Sequence, residues 1–342
     1  MHDFDDFRNI IKQSNYENIT FNYLPDLDLF AVISIHSTAR GPAIGGTRCI
    51  PYTSTKAAIY DSLALSKAMS YKSAIHELPH GGAKAVIMKP EKIENREKFF
   101  QEYGKLVDNL NGRYLTSVDS GTSIDDLNII KQVTPYVLGF DDPSIHTARG
   151  VMRAIEAAAL FKLNKSLSST TIAIKGLGHV GHELCRLLSI AGANLIISDC
   201  DQIKAEKTAK EFDATLCNND EILSTKCDIL APCALGGDIN AESIQKLNTS
   251  IICGAANNQL ANDEIALSLN SLGILYLPDY LVNAGGLHFV AACHANDVEA
   301  TMDKRIDSIT SKVNLVLEKA EDQSKCPLEI CNKLAKDYIY NQ

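Results

Sequence analysis

One stretch constrains this 342-residue chain more than any other: Lys175-Gly176-Leu177-Gly178-His179-Val180-Gly181. It directly follows the apolar run Thr171–Ile174 and opens a helical pattern that reaches Leu188. Gly-x-Gly-x-x-Gly is weak alone, but a strand before it and a helix after it make a βαβ unit. Gly176 allows the tight turn, Gly178 lets a pyrophosphate approach the backbone, and Gly181 lets helix meet strand. The helix start, with His179 and Val180, offers free N–H groups and a partial positive charge to phosphates. The next expected strand, Asn194–Ser198, ends at Asp199, 23 positions after Gly176. An acid there accepts hydrogen bonds from a ribose 2′-hydroxyl and repels a 2′-phosphate, and no arginine adjoins it, so NAD is expected in preference to NADP. The alternative is a glycine-rich turn that holds no ligand.

Short apolar runs alternate with helical patterns along the chain, which implies an α/β architecture. Single cores rarely grow past roughly 250–300 residues, so two domains are expected. Leu29–Ile35, Ala85–Met88 and Tyr114–Val118 read as strands, Thr55–Ser73 as a helix, and Ser123-Ile124-Asp125-Asp126 as a capping box. After a polar linker, further strands are expected at Asp228–Leu230, Ser250–Cys253 and Gly273–Tyr276. The expected division is a first α/β domain over 1–145 and a Rossmann dinucleotide-binding domain over 146–304. The helical tail, 305–342, interrupted near Cys326-Pro327, is expected to pack back on the first domain.

Net charge −9 argues against a nucleic-acid partner, which would call for a basic face. Ten cysteines lie partly in apolar stretches, such as Cys185 and Cys253, with no C-x-x-C spacing, so free thiols in a reducing compartment are expected. The acidic start, Met1-His2-Asp3-Phe4-Asp5-Asp6, is unlike a secretory signal. No apolar run approaches the roughly 20 residues of a membrane helix. A cytoplasmic protein is expected. His76 and His80 have a metal-like spacing, but Pro79 breaks any helix between them, so no metal site is expected.

Three further residues carry chemistry. Lys72 follows Leu65 and Met69 at helical spacing on one face, where it either anchors an anion or snorkels its ammonium to the edge. Lys84 follows Gly81-Gly82-Ala83 and begins a strand; it is either a reactive amine approached across small residues or a lysine that flanks a strand. Asp119 closes the strand Tyr114–Val118, where it is either a proton-transfer carboxylate or a helix cap.

Several segments together resemble the Glu/Leu/Phe/Val dehydrogenases, nearest the branch that holds leucine dehydrogenase. They are Gly41–Arg48, Gly81–Lys84, Ser117–Thr122, Ala231–Gly236, Gly254–Leu260 and Pro278–Gly286, in consistent order from about residue 30 to 300. The resemblance implies that the first domain serves substrate binding and oligomerisation. It implies that Lys84 is the catalytic lysine, Asp119 the catalytic aspartate, and Lys72 the partner of the substrate carboxylate. It also places Thr147, Asn283, Cys233 and Ala234 near the cofactor, and Asn257 near both substrate and nicotinamide. Gly45, Ile44, Ser117, Leu287 and Val290 would line the substrate pocket, with no cation for a side-chain carboxylate. The implied activity is reversible, NAD-dependent oxidative deamination of a neutral L-amino acid, with leucine, valine and isoleucine preferred, by a homo-oligomer. A tryptophan- or phenylalanine-preferring enzyme is the alternative within the family, and an inactive NAD-binding sensor or scaffold the alternative outside it. Asp142, Ile145, Arg149, His288 and Phe289 depart from the family pattern, and Ala83 replaces a glycine.

Overall fold

The computed structural model describes residues 2–139, 142–234, 236–295 and 297–340; Met1, Leu235 and the last two residues of the expected tail lie outside them. The chain divides into two compact units, Met1–Asp142 with Ala335–Gln342, and Pro143–Leu334.

The first unit runs α1 (His2–Ser14), β1 (Asn18–Leu24), β2 (Leu29–Ser37), β3 (Ala43–Ile50), α2 (Thr55–Ile75), β4 (Gly81–Met88), α3 (Arg96–Asp108), β5 (Tyr114–Val118) and α4 (Ile124–Lys131). The expected capping box opens α4, with Ser123 and Asp126 bonded reciprocally. The strands form one sheet in the order β1-β2-β4-β3-β5, in which β3 lies parallel to both β4 and β5. Alternation along the strands sorts its two faces. Ile33 and Ile35 of β2, with Ala83, Ala85 and Ile87 of β4, turn to an apolar core shared with Phe99, Phe100 and Tyr103 of α3 and Leu127 and Ile130 of α4.

The other face carries polar side chains and meets α2 through hydroxyls. Ser62 Oγ donates to Ser34 Oγ at 2.8 Å and to the Lys84 carbonyl at 3.1 Å. Ser70 and Ser73 donate to the carbonyls of Gly82 and Gly81 at 3.4 and 3.3 Å. A Cβ on Gly82 would lie 2.0 Å from the Ser70 nitrogen, so glycine is what lets helix and strand backbones touch.

One expectation changes here. The strand that bears Lys84 begins at Gly81 rather than at Lys84, because a Cβ on Gly81 would meet the Ser37 carbonyl of β2 and one on Gly82 would meet Ser70 of α2, so glycine at both positions lets the strand join its neighbours. The α2 face that meets β4 is a stripe of serines, Ser62, Ser70 and Ser73. Strand β3, which carries Gly45 and Gly46, is not among the expected strands.

The second unit runs α5 (Ser144–Leu163), β6 (Thr171–Lys175), α6 (His179–Ile190), β7 (Asn194–Ser198), α7 (Gln202–Phe212), β8 (Thr215–Leu216), β9 (Ile229–Pro232), β10 (Ile251–Ile252), α8 (Glu264–Ser271) and β11 (Leu275–Tyr276). Helices α9 (Asp279–Val282), α10 (Gly285–His294), α11 (Glu299–Asp307) and α12 (Ile309–Asp322) follow, and α13 (Pro327–Tyr340) begins in this unit and from Ala335 belongs to the first. Its parallel sheet has the order β11-β10-β9-β6-β7-β8. The order reverses between β6 and β9, and beyond the carboxyl ends of such strands α/β sheets collect ligands.

The chain leaves the first unit at Asp142, against an expected 145, and the tail differs more. Only Ala335–Gln342 groups with the first unit. Helix α12 instead packs on α5 and α9 of the second, burying Val313, Val316 and Leu317, with Ile309 against Gly150. All ten cysteines are free thiols. Among the described residues no helix is long and apolar enough to cross a membrane.

Candidate active site

In the first unit, β3 lies between β4 and β5, and its Gly45 and Gly46 fall between the paired positions Ile44–Gly82 and Thr47–Ala85. No side chain stands between Lys84 of β4 and Asp119 just past β5. The Lys84 ammonium reaches across Gly46 and forms an ion pair with Asp119 Oδ2. The lysine side chain is 5% exposed and the aspartate 19%. The other carboxylate oxygen, Oδ1, accepts from Arg48 Nε at 2.9 Å and from the Ser120 N–H at 2.7 Å. Arg48 Nη1 in turn holds Asp61 Oδ2 of α2 at 2.8 Å, and the Tyr52 hydroxyl donates to that same oxygen at 2.5 Å.

Burial pushes the Lys84 amine below the usual lysine range; Asp119 opposes the shift and Arg48 adds to it. Burial works to raise the Asp119 carboxyl, but the Lys84 and Arg48 cations outweigh it and hold it below the usual carboxylate range. The arrangement joins an amine inclined to lose its proton to a carboxylate held ionised, which is equipment for moving protons.

Lys72 lies buried in the last turn of α2. Ile44 and Ser117 are buried on β3 and β5, where Gly46 pairs with Ser117, and the Gly45 carbonyl accepts from the Tyr114 hydroxyl at 2.8 Å. Sequence reasoning missed Arg48, Asp61 and Tyr52. A signal was present for Arg48, which stands two residues beyond Gly46 and so on the same strand face.

In the second unit the three fingerprint glycines answer to different constraints. Gly176 has φ +97°, and a Cβ on it would sit 2.7 Å from the Ala234 nitrogen. A Cβ on Gly181 would lie 2.0 Å from the Gly176 carbonyl oxygen. Gly178 differs: its φ of −63° suits any residue, and a Cβ would meet nothing within 4 Å. The protein itself does not require glycine there. The open space above the amino end of α6, where His179 and Val180 begin the helix, fits a pyrophosphate. Gly178→Ala is therefore expected to change folding stability by no more than about 0.5 kcal/mol, while weakening NAD binding at least about tenfold. Calorimetric NAD titration beside a thermal melt checks both; unchanged affinity would remove the role given to this glycine.

Asp199 closes β7 and latches that loop. Its Oδ2 accepts from the Leu177 N–H at 2.7 Å and its Oδ1 from the Asp201 N–H at 2.9 Å, with Lys204 Nζ 3.1 Å away. Burial opposes ionisation, but the Asp201 and Leu177 amides together with Lys204 hold the carboxyl below its usual range. Lys204, on α7, is a cation that reading only the residues beside Asp199 overlooked.

Ala234 packs against Gly176 and Cys233 against Gly181, with the Cys233 N–H donating to the Lys175 carbonyl at 2.7 Å. Burial pushes the Cys233 thiol up to about 12, which disfavours a thiolate. Asn283 Nδ2 donates to Asn257 Oδ1 at 2.9 Å and to the Ala255 carbonyl at 3.0 Å, so the two asparagines meet. Thr147 Oγ1 donates to the Pro143 carbonyl at 3.1 Å and lies against Gly286, the residue before Leu287; Leu287 and Val290 are buried on α10.

The departures from the family pattern are accommodated locally. Arg149 binds Asp303 and Asp307 of α11, the latter at 2.7 Å. Phe289 stacks on His146 with ring centroids 4.2 Å apart. His288 is buried, which lowers it to about 4 and keeps it neutral.

A family profile described as Glu/Leu/Phe/Val dehydrogenase, dimerisation domain, matches residues 26–136, and one described as Glutamate/Leucine/Phenylalanine/Valine dehydrogenase matches residues 197–325. Leucine dehydrogenase of Bacillus subtilis (strain 168) is 38% identical over 338 residues, covering 96% of this chain and 93% of the relative. The chain belongs to the Glu/Leu/Phe/Val dehydrogenase family. As a Glu/Leu/Phe/Val dehydrogenase it is an NAD-dependent amino-acid dehydrogenase. It is also similar to L-tryptophan dehydrogenase of Nostoc punctiforme, at 39% identity over 338 residues, 97% of this chain and 95% of the relative. A crystal structure of L-tryptophan dehydrogenase from Nostoc punctiforme superposes with a TM-score of 0.84 at 38% identity, covering 98% of both chains.

Proposed function

We propose that this dehydrogenase deaminates a neutral L-amino acid reversibly to the 2-oxo acid and ammonia, with leucine, valine and isoleucine preferred. The observation that carries the reading is the meeting of Lys84 and Asp119 across Gly46, two groups separated by 35 positions of sequence. The chemistry that NAD supplies when bound is acceptance of hydride from the substrate Cα. Gly176, Gly178, Gly181 and the start of α6 would hold its pyrophosphate, Asp199 its ribose, and Thr147, Asn257 and Asn283 its nicotinamide end.

Lys72 pairs with the substrate carboxylate and fixes its orientation. Lys84, which burial inclines toward the neutral amine, takes a proton from the water that attacks the imine carbon. Asp119 carries protons to and from the nitrogen as the carbinolamine collapses. Ile44, Gly45 and Ser117 of the first unit, and Leu287 and Val290 of the second, are read as substrate-binding residues, and none of them is a cation for a glutamate side chain.

A second reading, preference for an aromatic side chain, is favoured by the 39% identity to an L-tryptophan dehydrogenase and by the small Ser117. Pocket fit among apolar side chains is worth about 1–3 kcal/mol, so preference rather than absolute selection is expected. A panel of L-amino acids followed by NADH absorbance decides between them. Branched-chain substrates should lead in kcat/KM by about tenfold or more, with glutamate inert. Faster turnover of tryptophan or phenylalanine would install the second reading, and no turnover at all would return the chain to a binding role. The dimerisation description of the profile over 26–136 supports a homo-oligomer, and the free cysteines suit the cytoplasm.

A further inference from the structure

Lys84 takes one oxygen of the Asp119 carboxylate, and Arg48 takes the other. We propose that Arg48, backed by Asp61 and Tyr52, is a positioning residue that locks Asp119 so that only Oδ2 is presented to Lys84 and to the reacting nitrogen. The inference rests on the reading of Lys84 and Asp119 as the proton-transfer pair.

The geometry is that of a clamp. Nε of Arg48 binds Asp119 Oδ1 and Nη1 binds Asp61 Oδ2, at 2.9 and 2.8 Å, so one planar guanidinium spans two carboxylates at a fixed angle. Asp61 comes from α2, itself tied to β4 by Ser62, and the Tyr52 hydroxyl holds Asp61 Oδ2 from below α2 in sequence. Oδ1 of Asp119 also accepts the Ser120 N–H, which fills its remaining capacity. Without Arg48, the broad torsion of the carboxylate would be restrained on the Oδ1 side by the Ser120 N–H alone, so its angle to Lys84 would loosen. A lysine in place of Arg48 lacks the fork needed to hold both acids together.

The clamp is electrostatic as well as geometric. The titratable and charged groups facing the pair are Arg48 from β3, Asp61 from α2, Tyr52 between them and Tyr114 from β5. The arginine charge favours the Asp119 anion and disfavours the Lys84 ammonium, whereas the Asp61 charge favours that ammonium. Arg48 and Asp61 therefore pull the pH response in opposite directions. Both side chains are less than 20% exposed, so solvent screens them only partly.

The test compares pH profiles of kcat/KM for wild type, Arg48→Gln, Arg48→Lys and Asp61→Asn, using the best substrate of the amino-acid panel. Retained NAD binding by calorimetry and a cooperative melt show that each variant folds. Arg48→Gln should lower kcat about tenfold to a hundredfold, less than loss of a general acid–base group itself, and displace the profile to higher pH. Asp61→Asn should displace it to lower pH, and Arg48→Lys should recover only part of kcat. Profiles that superimpose on wild type after scaling, or that move the same way in both variants, would overturn the clamp. A wild type that turns over no amino acid would overturn the underlying reading instead, and the two failures are told apart by that control.

Discussion

Lys84→Ala should lower kcat by about 10²–10⁴-fold, the usual contribution of a general acid–base group, while NAD affinity stays within about twofold. The separation is expected because Lys84 lies in the first unit and the fingerprint loop in the second. The substitution also leaves Asp119 Oδ2 without its ammonium partner, at a cost of about 1–3 kcal/mol in stability, although Arg48 still holds Oδ1. Steady-state kinetics beside an NAD titration check the result. A variant that keeps most of the wild-type turnover would end the role assigned to this amine.

Gly46→Ala should be nearly as damaging, although it removes no functional group. The added Cβ would lie 2.4 Å from the Val118 carbonyl oxygen and 2.9 Å from Asp119 Cβ. A backbone carbonyl in a strand has little room to yield, so the end of β5 and Asp119 must move together. Misplacement on the scale of 1 Å can lower turnover about 10²-fold, and overpacking of this kind costs about 1–3 kcal/mol in stability. The variant should lose activity and melt earlier, whereas Gly178→Ala should lose cofactor affinity and melt normally. Full activity in Gly46→Ala would mean that the gap between Lys84 and Asp119 is not kept open by glycine.

These contrasts mark what was legible in the sequence. The fingerprint could be read because its three glycines sit at fixed offsets between an apolar run and a helical one, and α6 begins where that spacing implies. Lys84 and Asp119 could be singled out, but their pairing depends on β3 lying between their strands, and β3 hides behind Gly45 and Gly46. Glycine usually signals a turn, and here its signal is a tertiary contact that no local pattern announces. A separate close approach, of α2 to Gly82 on β4, brings serines to the sheet, where their hydroxyls bond strand carbonyls. Arg48 and Asp61 meet through packing of α2 on β3, and Lys204 meets Asp199 across a turn. Neither pairing has a sequence period.

Because neighbouring positions along β3 and β4 point in opposite directions, selection for folding and selection for chemistry fall on alternate residues. Ala43, Cys49, Ala83, Ala85 and Ile87 pack in the core with the aromatic residues of α3, while Ile44, Gly46, Arg48 and Lys84 alternate with them on the face of the Lys84–Asp119 pair. Substitutions confined to the positions of these strands that face away from α3 should therefore leave its aromatic core standing.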